Sequence, residues 1–211
     1  MEASAIEDAV DGGNGAGGPE RIRAFLALDP PAATIEAVSD WQRRTLGEGL
    51  RARGPDGLHV TLVFLGDRDR AEIERAESAL HAAADGSGPV RVELAPAPIG
   101  LPRRRPRVVA LAAASPAAER LHDALLAELE ATGSEVSDRR RYRPHLSVAR
   151  VRGHPSRRGA AEAVAGLAPF DGPGGHTFDA VRVALYRSEL RSQGARYSLL
   201  ADVELPRGSG G

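Results

Sequence analysis

The chain has 211 residues, 42% hydrophobic and 4% aromatic, and no cysteine, which excludes disulfide frameworks, thiolate nucleophiles and cysteine metal sites. No apolar run approaches the roughly 20 residues of a membrane span, and the acidic, glycine-rich start has neither the basic nor the apolar stretch of a signal peptide. A cytoplasmic monomer without membrane attachment is expected. The net charge is −1, yet residues 1–20 hold Glu2, Glu7, Asp8, Asp11 and Glu20 and no base, so the remainder carries +4, every cation an arginine.

Residues 1–19 are small, acidic and without periodicity, and are expected to be disordered. Gly13, Gly15 and Gly18 spell G-x-G-x-x-G there, but a nucleotide loop needs a strand before it and a helix after it. From Arg21 the chain alternates. Arg21–Leu28 reads as a strand and 31–47 as a helix with Asp29 near its N-cap. Leu58–Leu65 is a strand and Arg70–Ala84 a helix. Val90–Ala95 and Arg107–Ala113 are strands, and 116–132 is a helix capped by Ser115 with proline at its first position. A strand at His145–Val151, a short helix at 156–166 and strands at Asp179–Arg187 and Tyr197–Glu204 complete the order, with a loose tail from 206 to 211.

This order repeats. The interval from Arg23 to His59 is the interval from Val109 to His145, and Val90-Arg91-Val92-Glu93-Leu94 is echoed by Val181-Arg182-Val183-Ala184-Leu185. Residues 20–205 therefore read as one domain of two similar α+β units, about 20–100 and 101–205. Each unit runs strand, helix, histidine strand, helix, strand.

The histidine strands carry the chemistry. In His59-Val60-Thr61-Leu62 and His145-Leu146-Ser147-Val148, strand alternation puts each histidine on one face with the hydroxyl two residues later. One such tripeptide is ordinarily just a half-buried strand. Two copies at equivalent places of a repeat make a cleft with two imidazoles and two hydroxyls. That set suits in-line attack at phosphorus, which needs a proton acceptor and a proton donor on opposite sides. Histidine, with an ordinary pKa of about 6.5, serves either role near neutrality. The hydroxyls can hold oxygens on which charge grows.

The paired motifs resemble the H-x-[ST]-x signatures of the 2H phosphoesterases. Their context, RIRAFLAL, LHVTLVFLG, LPRRRPRVVAL, RYRPHLSVAR and VALYRSELRSQGARYSLL, is similar to the RNA 2′,3′-cyclic phosphodiesterase (LigT, ThpR) branch over about residues 21–205. The resemblance implies a two-lobed α+β fold in which two pseudo-symmetric antiparallel-sheet units with outer helices surround a central cleft. It implies hydrolysis of 2′,3′-cyclic phosphate RNA ends to 2′-phosphates without metal or other cofactor. His59 would be the proton donor to the 3′ oxygen and His145 the acceptor that activates water. Ser147 stands where many members have threonine, which keeps the donor and loosens its placement. Five residues past each histidine, Phe64 and Arg150 would flank the base or phosphate of the terminal nucleotide. Simple alternation sends both to the opposite face, so that role requires a twist or a bulge.

Other features weigh less. Arg103-Arg104-Arg105-Pro106-Arg107 and Arg139-Arg140-Arg141-Tyr142-Arg143 are either solvated faces or contacts to an RNA backbone. His81, His122, His154 and His176 have no metal-ligand spacing. Ser188 and Glu189 read as structural, with Tyr186 as a cleft wall. A non-catalytic RNA-binding module and an enzyme joining RNA ends through 2′,5′ linkages would use the same cleft.

Overall fold

The computed structural model describes residues 21–134, 136, 141–153, 155–172, 176–191 and 194–208. The acidic segment 1–19, Arg139, Arg140, His154 and residues 209–211 lie outside them.

In chain order the elements are β1 (Ile22–Asp29), α1 (Ala32–Thr45), β2 (Leu50–Ala52), a 3₁₀ turn (Pro55–Gly57), β3 (Val60–Arg68), α2 (Arg70–Ala84), β4 (Arg91–Leu101), β5 (Val108–Ala114), α3 (Pro116–Ala131), β6 (His145–Val151), α4 (Arg157–Ala165), β7 (Thr177–Asp179), β8 (Arg182–Arg191) and β9 (Gly194–Glu204). Helix α2 begins at a reciprocal capping box. Asp69 accepts from the Glu72 amide and Glu72 accepts from the Asp69 amide, each at 2.8 Å. Helix α3 begins at Ser115, which accepts from the Ala118 amide at 3.0 Å while donating to the Arg91 carbonyl at 2.6 Å. That second bond ties the helix start to β4.

Asp29 is not an N-cap. Pro31 occupies the N-cap of α1 with no side-chain cap bond, and Asp29 ends β1 as the partner of Arg182. Two short strands escaped the sequence reading. β2 lies in an Arg/Gly/Pro-rich stretch, and β7 directly follows Gly174-Gly175-His176. β4 runs past Ala95 through Pro96 and Pro98, because its pairing to β5 shifts register between Leu94 and Pro98, where no ladder amide is required of the prolines.

The strands pair antiparallel throughout, in the order β7-β4-β5-β6-β3-β1-β8-β9, with β2 also on β6. This order is symmetric about the β6/β3 join. The lobe β3-β1-β8-β9 and the lobe β6-β5-β4-β7 meet there at one pair, Val60 opposite Leu146. The strand after the second helix of each unit's repeated order crosses over: β4 pairs with β5 of the second unit, and β8 pairs with β1 of the first. A polypeptide built this way cannot separate into its halves without breaking the sheet on both sides of the join.

The main core lies between the sheet and the helices. Leu26, Leu28, Val60, Leu111, Leu146 and Leu185 project from the strands to meet Val38 and Trp41 of α1, Leu80 of α2 and Leu125 and Leu129 of α3. Among the described residues the opposite face holds a small cluster, Phe25, Ala27, Ala184 and Tyr186, with Tyr197 against it. That second face is the cleft.

Candidate active site

With Val60 opposite Leu146, antiparallel geometry sets His59 opposite Ser147 and Thr61 opposite His145. Val60 and Leu146 are fully buried on the helical side, so these four flanking residues turn to the cleft. The two imidazoles belong to diagonal neighbours across the join, a relation that places the residues about 7–8 Å apart, with somewhat less between Cβ atoms. They are close enough for the His145 charge to depress protonation of His59. The next residues outward are small: Ala27 pairs with Thr61 and Ala110 with Ser147, and both alanines are buried. The cleft floor beside each hydroxyl is therefore low.

A main-chain carbonyl lies by each ring. His145 donates through Nδ1 to the Arg143 carbonyl at 2.9 Å, which leaves Nε2 unprotonated in the neutral ring. The Asp56 carbonyl of the 3₁₀ turn favours the protonated form of His59. Its ring sits on an aromatic floor, with centroids 4.8 Å from Phe25, 5.2 Å from Tyr197 and 6.0 Å from Tyr186. Burial on that floor, followed by the charge of Arg53, lowers its pKa to about 4.

Phe64 and Arg150 reach the cleft face through two equivalent bulges. In β3, Leu26 pairs with Val63 but Ala27 with Thr61, so Leu62 is an extra residue. In β6, Val109 pairs with Ala149 but Ala110 with Ser147, so Val148 is extra. Leu62-Val63 and Val148-Ala149 are accordingly consecutive buried pairs, and alternation resumes in opposite phase. Phe64 then pairs with Phe25 of the cleft floor and is 50% exposed, so it is no core aromatic. Arg150 is exposed between Val108 and Arg51. Both bulge carbonyls are capped by a helical side chain. His122 of α3 donates through Nδ1 to the Leu62 carbonyl at 3.0 Å. Gln42 of α1, nearly fully buried, donates to the Val148 carbonyl at 2.6 Å. His122 also stacks on Tyr142, centroids 4.2 Å apart, three residues before His145.

A polar cluster borders the aromatic floor. Tyr186 and Arg182 Nε both donate to Asp29 Oδ2 at 2.6 Å. Arg182 also reaches Asp202 at 3.5 Å. Burial, then Asp29, pushes the Tyr186 phenol above its ordinary range.

Sequence reasoning missed Phe25, Tyr197, Gln42 and Arg53. Phe25 and Tyr197 stood within RIRAFLAL and ARYSLL, and a period-2 reading of those strands could have found them. Gln42 and Arg53 carry no local signal. Arg103, Arg104, Arg105 and Arg107 are exposed at the β4–β5 turn. Among the described residues, no three His, Asp or Glu side chains are grouped to hold a metal, and no helix is long and apolar enough to cross a membrane.

A model of the 2′-5′ RNA ligase superfamily matches residues 29–190. The chain is 29% identical over 190 residues, 89% of its own length and 99% of the relative's, to a Methanothermobacter thermautotrophicus protein named RNA 2′,3′-cyclic phosphodiesterase. Its fold is similar to the crystal structure of TT0787 from Thermus thermophilus (TM-score 0.73, 26% identity, covering 89% of this chain and 100% of that one). It is similar also to E. coli LigT complexed with phosphate (TM-score 0.65, 25% identity, covering 89% and 99%).

Proposed function

The chain belongs to the 2′-5′ RNA ligase superfamily, the 2H phosphoesterases, and from that premise we propose that it is a phosphodiesterase that opens 2′,3′-cyclic phosphates at RNA ends to 2′-phosphates. The observation that carries this reading is the four-residue set around the Val60–Leu146 pair. Two imidazoles lie diagonally with a hydroxyl beside each, above a floor of small residues. The name of the M. thermautotrophicus relative supports the substrate class.

In this mechanism the cyclic phosphate lies between the imidazoles. His145 takes a proton from water through Nε2, its Nδ1 being committed to the Arg143 carbonyl. The water oxygen forms the new bond to phosphorus as the P–O3′ bond breaks. His59 gives a proton to the departing 3′ oxygen. An imidazolium of low pKa is a strong proton donor, and the phosphate anion beside it offsets the burial that disfavours its charge. Thr61 and Ser147 donate to non-bridging oxygens. Phe64 and Arg150 bind the terminal nucleoside and its phosphate. No metal or cofactor is assigned a role.

Pure protein incubated with a nucleoside 2′,3′-cyclic phosphate in EDTA tests the reading. Metal-independent release of the 2′-phosphate isomer is expected, and a 3′-phosphate product or no turnover overturns it. Adding an RNA with a 5′-hydroxyl detects end joining.

A further inference from the structure

Arg53 directly follows β2 and precedes the 3₁₀ turn that holds His59. Its main chain is fixed on both sides. The amide donates to the Val148 carbonyl at 2.9 Å, and the carbonyl accepts from Gln42 at 3.1 Å. Its side chain is equally confined. Nη1 donates to the Tyr197 hydroxyl at 3.0 Å. The aliphatic stem packs over Gly57, where a Cβ would already lie 3.5 Å from Arg53 Cδ and 3.7 Å from the Tyr197 ring. Nε is buried without a partner.

The charge of this group is unmet. Arg182, the other guanidinium beside the aromatic floor, is neutralised by Asp29 and Asp202. Among the described residues no carboxylate pairs with Arg53, and it sits near enough to His59 to depress its protonation. A rigid, half-buried cation beside the His59 imidazole, with a donor held out of water, has the character of an anion receiver.

We propose that Arg53 is a phosphate-binding residue of the cleft, donating to a non-bridging oxygen of the phosphate held between His59 and His145. This rests on the phosphodiesterase reading for its substrate, but not for its chemistry, which inorganic phosphate shares. Arg53 does two things there. It stabilises the charge that grows on the phosphorane oxygens. It also couples phosphate arrival to the acid. The groups against His59 are Phe25 from β1, Arg53 and the Asp56 carbonyl, His145 from β6, Tyr186 from β8 and Tyr197 from β9. Burial is the larger cause of the low His59 pKa, and of the charges that act on it Arg53 comes before His145. An entering phosphate offsets the Arg53 field and so favours protonation of His59.

The test uses imidazole NMR titrations of the full chain with and without inorganic phosphate, beside kcat/KM for a nucleoside 2′,3′-cyclic phosphate. Phosphate should raise the His59 pKa in the wild type. In Arg53→Gln the unliganded His59 pKa should already be higher, phosphate should bind about 10–100-fold more weakly, and kcat/KM should fall on the order of 10²–10³. Its acidic limb should move to higher pH, which a purely structural role would not produce. Arg53→Lys, keeping charge and stem, should leave unliganded His59 near the wild-type value and weaken phosphate binding less. It carries the test if the glutamine variant loses melting temperature. Wild-type phosphate affinity and an unmoved His59 titration in a folded Arg53→Gln protein would overturn the proposal. Weakened phosphate binding in that variant, without cyclic phosphate turnover by the wild type, would sink the reaction reading and leave the phosphate site standing.

Discussion

Val60 and Leu146 face each other at the residue pair that joins β3 to β6, both fully buried on the helical side. Because these two side chains point into the core, His59, Thr61, His145 and Ser147 point out of it. Packing thus fixes from behind the geometry of the four residues proposed for catalysis. Leu146→Ala should cost about 2–5 kcal/mol through the cavity it leaves. It should also lower kcat/KM by more than Leu129→Ala, a comparable truncation in α3 away from the join. Chemical denaturation and kinetics on both variants check this, and equal activity at equal destabilisation would break the link between join and site.

His59→Ala and His145→Ala should each lower the rate of cyclic phosphate hydrolysis on the order of 10²–10⁴, the usual worth of a positioned acid or base. Thr61→Ala and Ser147→Ala should cost up to about 10²–10³ as lost donors to a charged transition state. The double histidine variant should lose far less than the product of the single losses, because the pair acts as a unit. Single-turnover assays at saturating substrate measure each, and strict additivity would show independent roles.

The alternation in HVTL and HLSV was enough to put the imidazoles and hydroxyls on one face, and the repeat was enough to bring the two strands together at the Val60–Leu146 pair. The bulges were not legible. They arise from how β3 and β6 pair with β1 and β5, and nothing in VTLVFL or LSVAR marks the extra residue. Asp29 was misread because its partners Arg182 and Tyr186 lie 153 and 157 residues away. β2 and Arg53 were hidden because RARGPDG has the composition of a loop. Its strand character comes only from lying against β6.

The capped bulges predict a separation of stability from alignment. Gln42→Ala removes the donor to the Val148 and Arg53 carbonyls, and His122→Ala the donor to Leu62. Each should cost about 1–3 kcal/mol through an unsatisfied carbonyl. Gln42→Ala should raise KM through misplaced Arg53 and Arg150, and His122→Ala through misplaced Phe64, with smaller changes in kcat. Urea midpoints and steady-state constants decide, and a fall in kcat alone would contradict the assignment.

His59 makes stability depend on pH. Unfolded, its ring titrates near 6.5, but burial and then Arg53 hold it to about 4 in the fold. Between these values the unfolded chain binds a proton that the folded chain refuses, so stability should fall as pH drops from 6.5 toward 4. The contribution is fully present above 6.5. A shift of this size is worth about 3 kcal/mol. Melting temperature followed from pH 7.5 to 4 should fall more steeply for the wild type than for His59→Asn. Parallel curves would mean that the imidazole is not held neutral by the fold.

Which imidazole gives the proton is the most exposed assignment. A bell-shaped kcat/KM profile does not settle it, since an acid of low pKa and a base of high pKa titrate with the same curve as the reverse pair. Its acidic limb should fall near pH 4 in either case, from His59. The leaving group distinguishes them. With an alcohol at the 3′ position, departure needs a proton, and His59→Ala should be slow. With a phosphodiester whose leaving group is a stable phenolate, no proton is needed at departure, whereas water must still be activated. That substrate should restore most of the rate of His59→Ala and little of the rate of His145→Ala. The bond from His145 Nδ1 to the Arg143 carbonyl fixes that ring with Nε2 as its free nitrogen, while His59, whose pKa burial and then Arg53 lower to about 4, serves as the acid where the substrate's negative charge favours its protonation. Rescue of His145→Ala instead would exchange the two roles, and wild-type rates for both variants on the alcohol substrate would remove the histidines from the mechanism.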